Sequence, residues 1–357
     1  MILCCGEALI DMIPVAVAGS AAVAGPAAAL TSASAESGAQ MAPTLGYRPH
    51  CGGAVFNTAI ALARLGQGGR LQAGLFTGLS RDLFGQHLVA ALEASSVDLS
   101  LAERSDLPTT LAFVQLTDGH ATYHFYDENT AGRALRADRL PEVPDHVQAL
   151  FFGGISLCNG AAAQAYAALA QRERDRRPVM IDPNVRPGFA QDEAGYRARL
   201  AGMVAGAGIV KVSDEDLDWI YPGDAPIETK IRRLLDGTLD GSLDGSLDGT
   251  SDGVGGNGPG LVILTMGSAG ARGFLKSGME VAVPAVPAVV ADTVGAGDTF
   301  NAGFLAAAHA AGVLQDAARG DMAEAQLRAC LEYGAKAAAV TVSRAGANPP
   351  WCSELER

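Results

Sequence analysis

The chain has 357 residues, 48% of them hydrophobic, and a formal net charge of −13. That length suits one large α/β domain with additions, or two domains, with a full core in either case. The acidic balance excludes a general nucleic-acid-binding surface, although a local electropositive site for an anionic substrate remains compatible with it.

Met1-Ile-Leu-Cys-Cys-Gly-Glu-Ala-Leu-Ile10 reads as a first strand running to Asp11. It has no basic leader, and Glu7 and Asp11 interrupt the apolar run, so it does not read as a signal peptide. In open α/β sheets ligands gather beyond the carboxyl ends of strands. Asp11 is therefore a candidate acceptor for sugar hydroxyls; a solvated strand-end carboxylate fits equally well. Residues 16–42, rich in Ala, Ser, Gly and Pro, read as a flexible loop insertion and not as a membrane span. The six cysteines (Cys4, Cys5, Cys51, Cys158, Cys330, Cys352) form no CxxC pair and look like reduced thiols. A cytoplasmic protein is the expectation.

Cys51-Gly52-Gly53 opens a helix expected over 53–65, with Val55, Phe56, Ala59, Ile60 and Ala63 on one face. Paired glycines let a ligand approach the backbone closely. Asn57 falls in the first turn, where its amide both donates and accepts, as hydroxyl recognition requires; a capping Asn is the competing reading. Segments 110–116 and 121–126 are β-rich around Asp118-Gly119, which predicts a hairpin. His120 and His124 share a strand face there, and without a third ligand they make a poor metal site.

Beyond residue 148, strands and helices alternate: a strand over 149–155, a helix over 161–177, then strands over 178–182, 209–212 and 261–265. This alternation predicts a parallel sheet covered by helices on both faces. Polar groups follow several strand ends. Asp182-Pro-Asn184-Val-Arg186 offers Arg186 to neutralise phosphate charge. Lys211-Val-Ser213-Asp-Glu-Asp216 offers an acidic helix start to water-ligated Mg²⁺, or simply capping acids. Thr265-Met-Gly267 can touch nucleotide phosphates. Residues 236–258 repeat a Leu-Asp-Gly-Ser/Thr unit without the nine-residue spacing of calcium repeats, and read as a second flexible insertion.

Asp292-Thr-Val-Gly-Ala-Gly-Asp298-Thr-Phe-Asn-Ala-Gly303 is the most informative stretch. A glycine turn opening a helix leaves backbone N–H groups unpaired at the positive end of the helix dipole, which suits a phosphate. Asp298 puts a carboxylate beside that site, able to take a proton from a hydroxyl attacking phosphorus. Capping alone also explains an Asp there. No Walker A sequence and no G-x-S-x-G elbow is present.

On these motifs the chain resembles the ribokinase-like, phosphofructokinase B-type carbohydrate kinases. Gly52-Gly53…Asn57…Leu62-Ala-Arg-Leu-Gly66 and Asp292 to Gly303 carry the likeness, which spans nearly the whole chain apart from the two insertions. Within the family it is most similar to bacterial fructokinases, through Gly6-Glu-Ala-Leu-Ile-Asp-Met-Ile-Pro14, the Asp182 and Lys211 motifs, and Ser343-Arg-Ala-Gly-Ala-Asn-Pro-Pro-Trp351. The resemblance implies an α/β fold: one ribokinase-like domain over 1–357, a doubly wound, mostly parallel sheet with helices on both faces. A small β lid would come from segments near 12–50 and 108–130. It implies ATP-dependent phosphorylation of a sugar primary hydroxyl, fructose to fructose 6-phosphate. Asp298 would be the general base, the amides of Gly295, Ala296 and Gly297 the anion hole, and Arg186 a charge partner for the phosphoryl group. Sugar contacts fall on Asp11, Gly52, Gly53 and Asn57, and nucleotide contacts on Lys211, Ser213, Thr265 and Gly267. Mg²⁺ would be held through water by Asp216, where ribokinases usually have Glu, and K⁺ near Asp292. Sugar and ATP are the implied partners, with neither nucleic acid nor membrane, and the lid strands pair into a homodimer in relatives. Keto-acid sugar kinases place an Arg after the lid hairpin, where this chain has Asp127; repulsion of a carboxylate would favour a neutral sugar. Ribose, a nucleoside or 2-keto-3-deoxygluconate are alternative acceptors, and a non-catalytic sugar or nucleotide sensor is the alternative of another class.

Overall fold

A computed structural model of the chain describes residues 1–15, 46–66, 71–117, 120–239 and 258–355. The first insertion, most of the second, and the Asp118-Gly119 turn lie outside those residues. The strands in chain order are β1 (Ile2–Cys5), β2 (Leu9–Val15), β3 (Gly46–Gly52), β4 (Ala73–Phe76), β5 (Gly78–Ser80), β6 (Glu103–Ser105), β7 (Leu111–Thr117) and β8 (His120–Tyr126). They continue as β9 (Ala149–Gly153), β10 (Val179–Asp182), β11 (Ile209–Ser213), β12 (Leu261–Thr265), β13 (Ala271–Leu275) and β14 (Glu280–Val283). The helices that matter below are α1 (Ala54–Leu65), α2 (Leu83–Ala94), α3 (Gly160–Glu173), α4 (Glu193–Gly206) and α5 (Asp214–Ile220). After them come α6 (Ile227–Leu235), α7 (Ala296–Ala310), α8 (Leu314–Arg319) and α9 (Glu324–Val342).

The main sheet runs β14-β13-β12-β11-β10-β9-β1-β4. It is parallel from β4 to β12, and β13 and β14 close one edge antiparallel. The strands are continuous apolar runs because both faces are covered. Side-chain alternation then divides them between two cores. Ile2, Cys4, Phe151, Met180, Ile209 and Ile263 face α1, α2, α7, α8 and α9, while Leu3, Cys5, Phe152, Ile181, Val210 and Val262 face α3 to α6. Burial of two to three such side chains per strand, at roughly 1.5–3 kcal/mol each, fixes the register.

A second sheet, ordered β3-β2-β7-β8, is built from the chain after Ala8 and from the hairpin. β2 pairs antiparallel with β3 and parallel with β7. This corrects the reading of Asp11: the first strand ends at Cys5, and Asp11 belongs to β2, opposite His50 of β3. Gly6, Glu7 and Ala8 carry the chain from one sheet to the other. The strand expected over 149–155 stops at Gly153 and becomes a 3-10 turn, and the helix expected to reach Arg177 ends at Glu173. No helix among the described residues is long and apolar enough to cross a membrane.

Candidate active site

The carboxyl ends of the parallel strands, the N-terminal turns of α1 and α7, and the second sheet meet at one cavity of about 110 Å³. Asp11, Gly53, Asn57, Arg186 and Asp298 all line it, with Glu7, Tyr123, Phe125 and Asn184. Asn57 and Asp298 sit on different helices that pack together, and Asn57 Nδ2 donates to Asp298 Oδ2 at 2.9 Å. Asp298 is buried, and that burial pushes its carboxyl up to about 7, against the Asn57 hydrogen bond, which lowers it. Asp11 is pushed up to about 6, by burial and then by the Glu7 charge. Two carboxyls with pKa values raised by burial in one cleft is the arrangement expected of acid–base chemistry.

Gly52 lies directly behind Asp11. A Cβ there would fall 2.0 Å from Asp11 Oδ2. We expect Gly52→Ala to displace that carboxylate and, with Asp11 as the substrate contact the sequence implies, to raise the substrate KM about tenfold or more, with a smaller change in kcat, because a shift near 1 Å in a positioning group is costly. An unchanged KM would remove Asp11 from the expected substrate contacts.

α7 starts at Gly295, which is left-handed (φ 79°). A Cβ at Gly295 would meet Ala347 Cβ at 2.7 Å, so the turn is open only to glycine on two grounds. Ala296 N–H already donates to Thr293 O at 3.3 Å. The donors left over among the described residues are therefore the N–H groups of Gly295, Gly297 and Asp298, at the positive end of a 15-residue helix. Asp292 braces the turn from outside: its Oδ1 accepts from Val294 N (3.0 Å) and its Oδ2 from Gly346 N (2.8 Å).

Lys211 stands beneath the turn, its Nζ 3.4 Å from where a Gly297 Cβ would lie. It donates to Asp182 Oδ2 at 3.0 Å, and Asn301 Nδ2 donates to the same oxygen at 2.6 Å. Burial works to lower the Lys211 pKa, but the charges of Asp182 and Asp216 outweigh it and leave the ammonium above its usual range. Asp182 is raised, chiefly by burial.

The other expected contacts are spread along neighbouring strand ends. Ser213 and Thr265 are register partners at the ends of β11 and β12, and Thr265 Oγ1 donates to Val212 O at 3.4 Å. Gly267 follows with φ +53° and open space where a Cβ would be. Asp216 completes a capping box with Ser213: Asp216 Oδ2 accepts from Ser213 N and Oδ1 from Val185 N, at 2.9 and 2.7 Å. Both oxygens thus already serve backbone groups. Among the described residues no group of three His, Cys, Asp or Glu is placed to hold an ion. His124 pairs with Gln115 at 3.0 Å. Arg186 lies exposed on the cavity rim and folds back onto Val185 O at 2.9 Å.

Glu7 lies within the Gly6–Pro14 motif, but the sequence gives it no role of its own. Its carboxylate accepts from Ala54 N (2.9 Å) and Ser156 N (3.2 Å), joining α1 to the turn after β9, and it lines the cavity. Only its position between two sheets makes it functional in geometry. One inference from the sequence is overturned. Asp127 is buried, ion-paired with Arg133, and lines a neighbouring cavity with Glu7, Thr110 and Asn159, not the one holding Asp298. Its charge is matched locally, so it gives no ground for rejecting a carboxylate-bearing sugar.

Comparison with known proteins accords with this fold. A family model described as pfkB family carbohydrate kinase matches residues 28–353. The chain is 41% identical to a fructokinase of Rhizobium leguminosarum bv. trifolii over 309 residues, 86% of this chain and 79% of that protein. It is 30% identical to a fructokinase of Klebsiella pneumoniae over 311 residues, 86% of this chain and 91% of the other. Among solved structures, a fructokinase with bound ATP from Xylella fastidiosa superposes with a TM-score of 0.76 at 24% identity, covering 99% of this chain and 96% of that one, which shows the shared fold.

Proposed function

Because the chain belongs to the pfkB family of carbohydrate kinases, we propose that it transfers the γ-phosphoryl group of ATP to the 6-hydroxyl of fructose, with Asp298 as general base. The observation that carries this reading is the position of Asp298. Its carboxylate faces the cavity shared with Asp11 and Asn57, and its own N–H belongs to the anion-binding turn. A hydroxyl held by Asp11 and Asn57 and a phosphoryl group held at the N-terminus of α7 would both lie against it. The fructose O6 proton passes to Asp298 as the O6–P bond forms and the bond from phosphorus to the ADP oxygen breaks. The free amides of Gly295, Gly297 and Asp298 receive the oxygens of the transferred group, with the Lys211 charge beneath them and Arg186 at the rim. The β2-β3-β7-β8 sheet acts as a lid that excludes water through Tyr123 and Phe125. The choice of fructose rests on the two fructokinase relatives and on a cavity built for hydroxyls.

Mg²⁺ fits this site as an ion that arrives with the nucleotide: it would be held by phosphate oxygens and water, since the chain offers no carboxylate cage among its described residues, and it supplies charge neutralisation. Asp292 takes the part of a brace for the turn, with each carboxylate oxygen engaged by a backbone amide before any K⁺ is considered. Asp127 and Arg133 neutralise one another in the adjoining cavity and so do not exclude a carboxylate-bearing acceptor, which leaves 2-keto-3-deoxygluconate as the competing acceptor to test.

The pH dependence tests the base. Asp298 acts only when ionised, so kcat/KM for the sugar should fall as pH drops through about 7. The hydrogen bond from Asn57 lowers that pKa, so Asn57→Ala should move the acid limb to higher pH as well as raise the sugar KM. A limb that stays in place while KM rises would leave Asn57 a binding group only.

A further inference from the structure

Arg64 lies seven residues after Asn57 on α1, two helical turns along the same face. Asn57 reaches Asp298, and Arg64 reaches the other support of the same turn. Its Nη1 donates to Asn348 Oδ1 and to Pro349 O, both at 2.9 Å, and its Nε donates to Ser95 Oγ at 3.2 Å. The guanidinium also lies over the Trp351 ring, 5.0 Å from its centroid. The segment it grips is the one that backs the anion turn. Gly346 N–H donates to Asp292, and Ala347 fills the space left by the missing side chain of Gly295. Asn348 N–H donates to Gly346 O at 2.8 Å, so the grip on Asn348 and Pro349 is transmitted within two residues to the contacts on Asp292 and Gly295.

We infer that Arg64 is a positioning residue for phosphoryl transfer: through the 346–349 segment it holds the Gly295–Gly297 turn in register with the sugar contacts carried by its own helix. The inference rests on the proposed kinase reading of the site. α1 is thereby tied to the turn twice, through Asn57 to Asp298 and through Arg64 to the segment behind Gly295. The arrangement demands a planar fork, because one side chain serves three acceptors in different directions while stacking on an indole. A lysine supplies the charge but only a single point of attachment.

The test uses the full chain with Arg64→Ala, Arg64→Lys and Asn348→Ala. We expect Arg64→Ala to lower kcat about tenfold, the scale of a small misplacement of transition-state donors, while the fructose KM stays within about twofold. Arg64→Lys should fail to restore kcat, and the loss from Arg64→Ala should shrink in the Asn348→Ala background, since both cut one link. Amide hydrogen exchange provides a readout independent of turnover. In Arg64→Ala the N–H groups of Gly346 and Asn348 should exchange faster, while those inside β9 and β10 stay protected. Unchanged exchange at 346–348, full rescue by Lys, or a change in KM with kcat intact would each overturn the inference. A wild-type chain that releases no ADP with any sugar would defeat the kinase reading, and exchange at 346–348 would still decide whether Arg64 holds the segment.

Discussion

Asp298→Asn is expected to lower kcat by about 10²–10⁴-fold, the usual worth of a positioned general base, while fructose still binds. Asn keeps the shape of the side chain and can still meet Asn57, but it cannot take the hydroxyl proton. The same variant should be more stable than the parent at neutral and alkaline pH. Burial raises the folded-state pKa of Asp298 to about 7, above the ordinary carboxylate value of 3.8. A carboxyl raised on folding binds its proton more tightly in the native state. The folded chain therefore loses stability as pH rises from the unfolded pKa, and the full cost is in place above about 7. Replacing Asp298 removes that cost, so the gain in urea midpoint should be larger at pH 8 than at pH 5. Turnover within a fewfold of wild type would remove Asp298 from the base role. A gain in stability independent of pH would mean that its charge is not the buried cost.

Lys211→Met should have the largest effect on stability. Lys211 and Asp182 are both nearly inaccessible to solvent and face one another at 3.0 Å. Removing the ammonium leaves a buried carboxylate with Asn301 as its remaining side-chain donor. Breaking a buried pair in this way costs about 3–5 kcal/mol. Asp182 escapes part of the cost by taking a proton, so the loss should deepen as pH rises. A second substitution, Asp182→Asn, should recover much of the stability but not the activity, because the cation beneath Gly297 is still missing. Urea unfolding of the two single variants and the double variant measures this directly. A loss under about 1 kcal/mol in Lys211→Met would show that the pair is solvated and is not part of a dry support for the turn.

The elements most visible in the sequence are those whose signals are local. A glycine turn followed by apolar residues at helical spacing locates α1 to within a residue and picks out the start of α7, so Asn57 and Asp298 stand out as candidate partners of one ligand even without their 2.9 Å contact. The apolar runs at 149–152, 179–181 and 261–264 likewise form strands of the main sheet. What stays hidden depends on long-range packing. Asp11 reads as the end of β1, because nothing in Gly6-Glu-Ala announces that the chain crosses there to another sheet. Glu7 becomes important only through amides 47 and 149 residues away. Asp127 reads as a free carboxylate because its partner, Arg133, lies beyond the strand on a turn without periodicity. The acidic helix start at Ser213 and Asp216 fits either metal or capping in the sequence, and the structure shows the capping box. The link from Arg64 to Pro349 spans 285 residues, which no motif encodes.

ADP release with Mg-ATP, compared across fructose, ribose, 2-keto-3-deoxygluconate and adenosine, tests the central claim most directly. Fructose should give the highest kcat/KM, with one fructose 6-phosphate formed for each ADP. Release of ADP at the same rate without any sugar, or none with every acceptor, would contradict the assignment of Asp298 and its cavity to sugar phosphorylation. A preference for the keto-acid sugar would keep the chemistry and replace the acceptor.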